Sequence, residues 1–243
     1  MGTSAGAAAQ DSERLAADRA WARWGMTAAV TGMLAWVIAV ALIPPDAKLD
    51  KGGQHLVQVL RAHTGQLYAA ALLAVLGAVL LAAFVAVLTR LVPEAPPGWR
   101  LRRVSLARCV ITQTMVAIGA PSGLAGLHAV VGNAGAGLAG LGWRALWMTF
   151  WASAVPATLF TVTGVLGLRQ AGLSPPWESA AGWLPAAAHV LVLVTLAQRG
   201  AFAADGIIAG LVPLTTVIWI LALAATPPRS RRAAATAASG TGG

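Results

Sequence analysis

Residues 67–89 read LYAAALLAVLGAVLLAAFVAVLT, and no charged side chain interrupts them. A helix rises about 1.5 Å per residue, so about 20 apolar residues cross the roughly 30 Å hydrocarbon core of a bilayer. This stretch is long enough to do so, and five further apolar stretches accompany it along the chain. The sequence therefore predicts an all-α, polytopic membrane helix bundle with six transmembrane helices.

The boundaries of the six spans follow from the distribution of apolar residues along the chain. The predicted spans lie at about 24–43, 67–92, 104–131, 145–168, 182–197 and 206–226. Residues 24–226 then form one transmembrane domain. An N-terminal segment at 1–23 precedes it, and a tail at 227–243 follows it. The tail is predicted to be disordered because it is rich in Ala, Gly, Ser, Thr and Arg.

Two Gly-containing places interrupt this pattern. Gly119, Pro121 and Gly123 lie in the third span and predict a kink or a break in its outer half. Residues 132–142 are rich in glycine and predict a flexible connection. Residues 135–140 match GxGxxG literally, but no strand precedes them, so they predict no nucleotide site.

The composition excludes a soluble fold. The chain is 58% hydrophobic and 10% charged, whereas a soluble domain has roughly 25% charged residues. The net charge of +9 comes from basic residues at the ends of apolar stretches, where they attract anionic lipid head groups. The predicted partners are therefore the bilayer, with anionic head groups at its cytoplasmic face, and a further membrane protein. Nucleic acid is not among them.

The basic residues also predict an orientation. Twelve Lys and Arg residues fall on the side that holds both ends of the chain, and five fall on the other side. The positive-inside rule places both termini in the cytoplasm of a multi-pass protein of the cell membrane. Trp143 and Trp147 are predicted to mark the outer interface, where indole rings are common.

The longest aqueous segment leads into the second span. Leu56, Leu60, His63 and Leu67 follow one another at helical spacing, which predicts an amphipathic helix whose apolar face continues into the span. We expect His63 to lie on that face, directed at the bundle.

Few residues in the spans could carry chemistry. No Asp or Glu falls inside the predicted spans, which argues against a proton- or sodium-coupled carrier. His63, His128 and His189 are the candidate binding residues, because a neutral imidazole can ligate a metal or haem iron, or carry protons. Their spacing does not show that they converge. The sequence predicts no catalytic residue, no metal and no cofactor.

The single cysteine and a group of polar residues outside the spans also limit or suggest binding sites. Cys109 is the only cysteine, so an intramolecular disulfide is excluded. An outer cluster of carboxylates and imidazoles is a second candidate site, for a cation. Its members are Asp46, Asp50, His55, His63 and Asp205.

Several short motifs in the sequence are similar to those of a known group of proteins. They are ALIPPDAKLD at 41–50, HLVQVLRAH at 55–63, LYAAALLAVLGAVLLAAFVAVLTRL at 67–91 and AFAADG at 201–206. This pattern resembles uncharacterised six-helix integral membrane proteins of actinobacteria, which are related to a bacterial membrane family of unknown function. The resemblance implies a six-helix bundle over residues 24–226, and it implies no activity, substrate or cofactor.

Three functional classes agree with these observations. The first is a non-enzymatic plasma-membrane protein that binds, senses or acts as an accessory subunit. The second is a transporter or channel-like protein for a small uncharged or lipophilic solute, which a cavity between the third, fourth and fifth spans would favour. The third is a membrane haem or metal enzyme that uses the three histidines.

Overall fold

The computed structural model describes residues 3–48, 51–91, 98–131, 135–170, 174–194 and 207–225. Within these ranges the chain forms eight α-helices and no strand. They are α1 (Thr3–Ala41), α2 (Gly53–Ala62), α3 (Thr64–Leu91), α4 (Gly98–Val131), α5 (Ala136–Ala152), α6 (Ala154–Gln170), α7 (Pro176–Val194) and α8 (Ile207–Ala225). The predicted all-α class is confirmed.

Long apolar helices dominate the described chain. Four stretches are long and apolar enough to cross a membrane. They are Arg23–Ala41, Thr64–Val87, Val104–His128 and Ala136–Arg169. These four overlap the first four predicted spans, and the chain accordingly has the helices of a membrane protein. The fifth and sixth predicted spans overlap α7 and α8.

α5 and α6 follow one another as a single long rod. Ser153 separates them but keeps helical dihedral angles, φ −66° and ψ −17°, and its N–H still donates to Thr149 O. Pro156 lies one turn beyond the junction, where its missing N–H leaves a gap in the helical hydrogen bonds. Together the two helices extend over about 50 Å at 1.5 Å per residue.

Six rods make up the bundle: α1, α3, α4, the α5–α6 rod, α7 and α8. α1 packs along α3, α3 along α4, and α4 along both halves of the α5–α6 rod. α6 then packs on α7, α7 on α8, and α8 returns to α1. The rods therefore form a closed ring in which neighbours along the chain are also neighbours in space.

α2 packs across one end of this ring, which we call the α2 end. Leu56 and Leu60 are almost fully buried there against Leu127 and Trp143. Trp143 Nε1 donates to Ala47 O at 3.2 Å, which attaches the segment after α1 to α5. This contact buries the apolar face of α2, as its amphipathic pattern requires.

Small residues set the separation between α4 and α5. A Cβ added to Gly126 would lie 2.8 Å from Gly142 Cα, and one added to Gly142 would lie 2.6 Å from Gly126 Cα. The two backbones therefore touch at this level, which only glycine permits. Close approach through small residues is the usual way in which membrane helices associate.

The break predicted in the third span is wrong, and the flexible connection predicted at 132–142 is wrong for its later part. α4 is helical from Gly98 to Val131 with Pro121 inside it, so the third span is not broken. Neighbouring helices support the helix through this region, since Gly119 packs against Thr149 and Gly123 against Leu146. The Gly-rich connection also differs from expectation, because its part from Ala136 onward is the first turns of α5.

His63 does not lie on the buried face that the sequence predicted. Leu56, Leu60 and Leu67 are buried as expected, whereas His63 is exposed. α2 ends at Ala62, and His63 has the non-helical angles φ −117° and ψ 22°. The chain turns at this residue before α3 begins, so the helical spacing no longer applies to it.

Some predictions fall on positions outside the described residues. They are the tail at 227–243, the end of the fifth span at 195–197, and Asp50 and Asp205 of the outer cluster. The N-terminal segment at 1–23 is helical from Thr3 onward, because α1 begins there.

Candidate functional site

A cavity of about 110 Å³ lies at the centre of the ring; we call it the central cavity. Every one of the six rods contributes to its wall. Examples from successive rods are Met33, Phe84, Gln113, Phe160, His189 and Ile220. The wall is mainly apolar, so the polar side chains in it stand out.

The polar wall residues are Cys109, Thr112, Gln113, Ser153, Thr161, His189 and Thr216. Several hydroxyl groups donate to the backbone of their own helix, for example Thr112 to Arg108 O at 2.9 Å and Thr161 to Ala157 O at 2.6 Å. A hydroxyl oxygen that donates in this way still has lone pairs and can accept a hydrogen bond. These groups therefore offer acceptors to an occupant of the cavity.

Three wall residues have polar atoms that are buried without a hydrogen bond. Trp36 Nε1, Gln113 Oε1 and Trp151 Nε1 find no partner among the described residues, and Trp151 is only 5% exposed. A buried polar atom left unpaired costs about 1–3 kcal/mol. Gln113 Oε1 is an acceptor, and the indole N–H groups of Trp36 and Trp151 are donors. Together they match a molecule that both donates and accepts.

His189 adds a second acceptor. Its Nδ1 lies 2.6 Å from Pro185 O, one turn earlier in α7. A carbonyl oxygen can only accept, so Nδ1 carries the proton and the neutral ring has its lone pair on Nε2. The imidazole is thus held in one tautomer and lies in the wall of the central cavity.

The central cavity lacks charge. Among its described wall residues none is Lys, Arg, Asp or Glu. An ion in such surroundings would lose its hydration without a counter-charge, which is expensive at membrane depth. The site therefore suits an uncharged molecule.

A second cavity, also of about 110 Å³, adjoins the first toward the α2 end; we call it the α2-side cavity. α1, α3, α4 and α5 enclose it, and its described wall residues are all aliphatic, aromatic or glycine. Many of them are small: Ala70, Ala71, Ala74, Gly119, Ala120 and Gly123. Small residues on facing helices leave a narrow apolar space.

The two cavities share a partition. Trp36, Val116 and Phe150 belong to the walls of both. The rings of Trp36 and Phe150 are in contact, with centroids 5.4 Å apart. Trp36 rests on α3 at Gly77, where an added Cβ would collide with the indole ring. Gly77 therefore allows Trp36 to occupy this place.

The structure does not bring the three predicted histidines together. His189 lies in the wall of the central cavity, whereas His63 and His128 are exposed. His63 Nδ1 lies 3.0 Å from Gln66 Oε1, and Gln66 Nε2 donates to Leu42 O, so His63 takes part in fixing the corner between α2 and α3. No group of three or more His, Cys, Asp or Glu that could hold a metal occurs in the described ranges.

One member of the outer cluster, Asp46, forms an ion pair with Lys51. Lys51 Nζ lies 2.6 Å from an oxygen of Asp46. This ammonium lowers the pKa of the Asp46 carboxyl below its ordinary value, through the hydrogen bond and the charge of Lys51. Asp46 thus has a partner within its own loop, as is common at the ends of helices.

Sequence reasoning missed two kinds of residue. Gln113 and Trp151 are ordinary polar and aromatic residues within apolar stretches, and only their packing shows that they line a cavity. The fifth span is predicted to begin at 182, whereas α7 begins at Pro176 and therefore includes Glu178. Glu178 is fully buried in its first turn. A carboxylate at this position interacts favourably with the helix dipole.

Comparisons with known proteins add no relative. No protein-family model matches the chain, and no curated protein or solved structure matches it either.

Proposed function

We propose that this protein binds a small, uncharged, lipophilic molecule inside its helix bundle, in the central cavity. The observation that carries the proposal is the set of unpaired buried atoms, Gln113 Oε1, Trp36 Nε1 and Trp151 Nε1, in a mainly apolar wall. Such atoms are rare in native proteins and are usually satisfied by water or a ligand. His189 Nε2 supplies a further acceptor nearby in the same wall.

This binding function belongs to the first of the three classes that the sequence allowed. The haem or metal class would need several histidines at one place, and only His189 lies in the wall of the central cavity. Binding, by contrast, needs an enclosed space with a few polar groups in a mainly apolar wall. The central cavity offers this combination.

The experiment is to identify small molecules that copurify with the protein. Wild type, Gln113→Leu and Trp151→Phe are purified in lipid discs, extracted with organic solvent and compared by mass spectrometry. We expect an uncharged compound in wild type and about tenfold less of it in each variant, since one hydrogen bond contributes about 1–2 kcal/mol.

Two matched controls alter the same residue types away from the cavity. Gln58 and Trp177 are exposed. We expect Gln58→Leu and Trp177→Phe to retain as much compound as wild type. Equal amounts of compound in wild type and in the two cavity variants would contradict the proposal.

The orientation in the membrane forms part of this proposal. We infer six spans with both termini in the cytoplasm, and the α2 end of the bundle outside. The excess of basic residues on the side of the termini supports this orientation. Trp24 and Trp177, exposed by 72% and 53%, lie toward the other end of the bundle, where indole rings favour the membrane interface.

Transport is a second candidate, and the adjoining α2-side cavity favours it. A molecule that enters from the α2 end would meet this cavity first and the central cavity second. Loss of a preloaded copurifying compound from vesicles that contain the protein, faster than from empty vesicles, would support transport. Equal rates of loss from the two kinds of vesicle would contradict transport and leave binding as the only function proposed.

A further inference from the structure

The size of the two cavities limits what each can hold alone. Each measures about 110 Å³. An engineered apolar protein cavity of about 150 Å³ is the size that holds one benzene molecule. An occupant of either cavity alone would therefore have only a few heavy atoms, which offers little apolar area to bury. A larger lipophilic molecule would have to extend through both.

The two cavity walls differ in polarity, as a molecule with one polar end and one apolar end would require. The α2-side cavity has many alanines and glycines, which fit a slender hydrocarbon chain, and its buried unpaired polar atoms, Trp36 Nε1 and Trp147 Nε1, are donors only. Only the central cavity adds acceptors, Gln113 Oε1 and His189 Nε2, to the indole donors Trp36 Nε1 and Trp151 Nε1. A hydroxyl group has one hydrogen to donate, two lone pairs to accept and no charge, so it can donate to one of these acceptors and accept from the indole N–H groups.

We propose that the two cavities are two halves of one site for a single-chain lipophilic alcohol. The hydroxyl lies in the central cavity, and the chain passes the contact between Trp36 and Phe150 into the α2-side cavity. This inference rests on the proposed binding function and names the class of ligand. Since Trp36 and Phe150 touch in the structure, one of the two rings has to turn aside when the chain enters.

The test uses straight-chain alcohols from butanol to dodecanol, with the matching alkanes, on protein in lipid discs. The midpoint of thermal unfolding is measured at equal membrane concentrations of each compound. A ligand that binds only the folded state raises this midpoint in proportion to its affinity. For wild type we expect alcohols to raise it more than the matching alkanes, and the rise to grow with chain length.

Three variants separate the two halves of the site. Ala74→Leu fills part of the α2-side cavity, so we expect the rise to stop at shorter alcohols, with short alcohols unaffected. Ala69→Leu makes the same change on the exposed face of α3 and should behave as wild type. Gln113→Leu removes one of the two acceptors and should reduce the difference in midpoint between each alcohol and its matching alkane.

The outcomes distinguish the two proposals. If Ala74→Leu and wild type respond equally at every chain length, the joined site is wrong while the binding function stands. If no alcohol exceeds its alkane in wild type and Gln113→Leu changes nothing, the hydroxyl assignment is wrong as well. Should Ala74→Leu fail to fold, Ala71→Leu fills the same cavity from the same helix and replaces it.

Discussion

Trp143 shows how one side chain holds the α2 end together. It is 4% exposed, packs among Leu56, Leu60 and Leu127, and donates to Ala47 O at 3.2 Å. Trp143→Phe would remove the donor, leave a buried carbonyl unpaired and open a small void. We expect a loss of about 1–3 kcal/mol in the free energy of unfolding, measured by denaturant titration in detergent.

Trp177→Phe is the control for this prediction. Trp177 is 53% exposed on α7, so the same change should alter the free energy of unfolding by less than about 0.5 kcal/mol. An equal loss of unfolding free energy in the two variants would mean that the buried Trp143 stabilises the fold no more than the exposed Trp177.

The same residue shows a limit of sequence reasoning. Trp143 was predicted to mark the membrane interface because it stands near the end of an apolar stretch. In the structure it is buried by α2, a segment more than 80 positions earlier in the chain. For the same reason, the sequence did not identify Gln113 and Trp151 as candidate site residues. Local patterns report hydropathy, whereas the pairing of a polar atom depends on residues brought together by the fold.

At the scale of helices, the contact between α4 and α5 depends on glycine. Gly126 and Gly142 leave no room for a side chain, since an added Cβ on either would lie under 3.0 Å from the other's Cα. Gly126→Ala would force the two backbones apart. We expect it to lower the free energy of unfolding by about 1–3 kcal/mol, as overpacking does, despite the better helix propensity of Ala.

Gly140→Ala is the matched control on α5. A Cβ at Gly140 meets nothing within 4 Å. Here only the reduced freedom of the unfolded chain remains, so we expect a gain of about 0.4–1 kcal/mol. Changes of the same sign in Gly126→Ala and Gly140→Ala would argue against close packing as the role of Gly126.

These glycines also explain where the prediction of elements succeeded and failed. Long apolar stretches predicted the positions of the helices, because burying backbone polar groups in lipid requires a helix. Glycine and proline predicted breaks, as they do in water. In this bundle Gly142 lies inside α5 and Pro121 inside α4, since contact with neighbouring helices offsets their low propensity.

At the scale of the whole molecule, the number of crossings and their direction can be tested together. Cys109 is buried at 2% exposure, so the natural chain should not react with a membrane-impermeant maleimide and serves as the blank. Gln54 and Ala17 are exposed near opposite ends of the bundle. We expect Gln54→Cys to be labelled in intact cells, and Ala17→Cys to be labelled only after permeabilisation.

A third position decides between four and six spans. Ala201 lies between α7 and α8 in the sequence. If these two helices cross the membrane, Ala201→Cys is labelled in intact cells, as Gln54→Cys is. If they do not cross, Ala201→Cys behaves like Ala17→Cys. We expect the first result, because the central cavity includes His189 of α7 and Ile220 of α8 at the same level as the other four rods. Labelling of Ala17→Cys in intact cells would instead reverse the orientation that the basic residues predict.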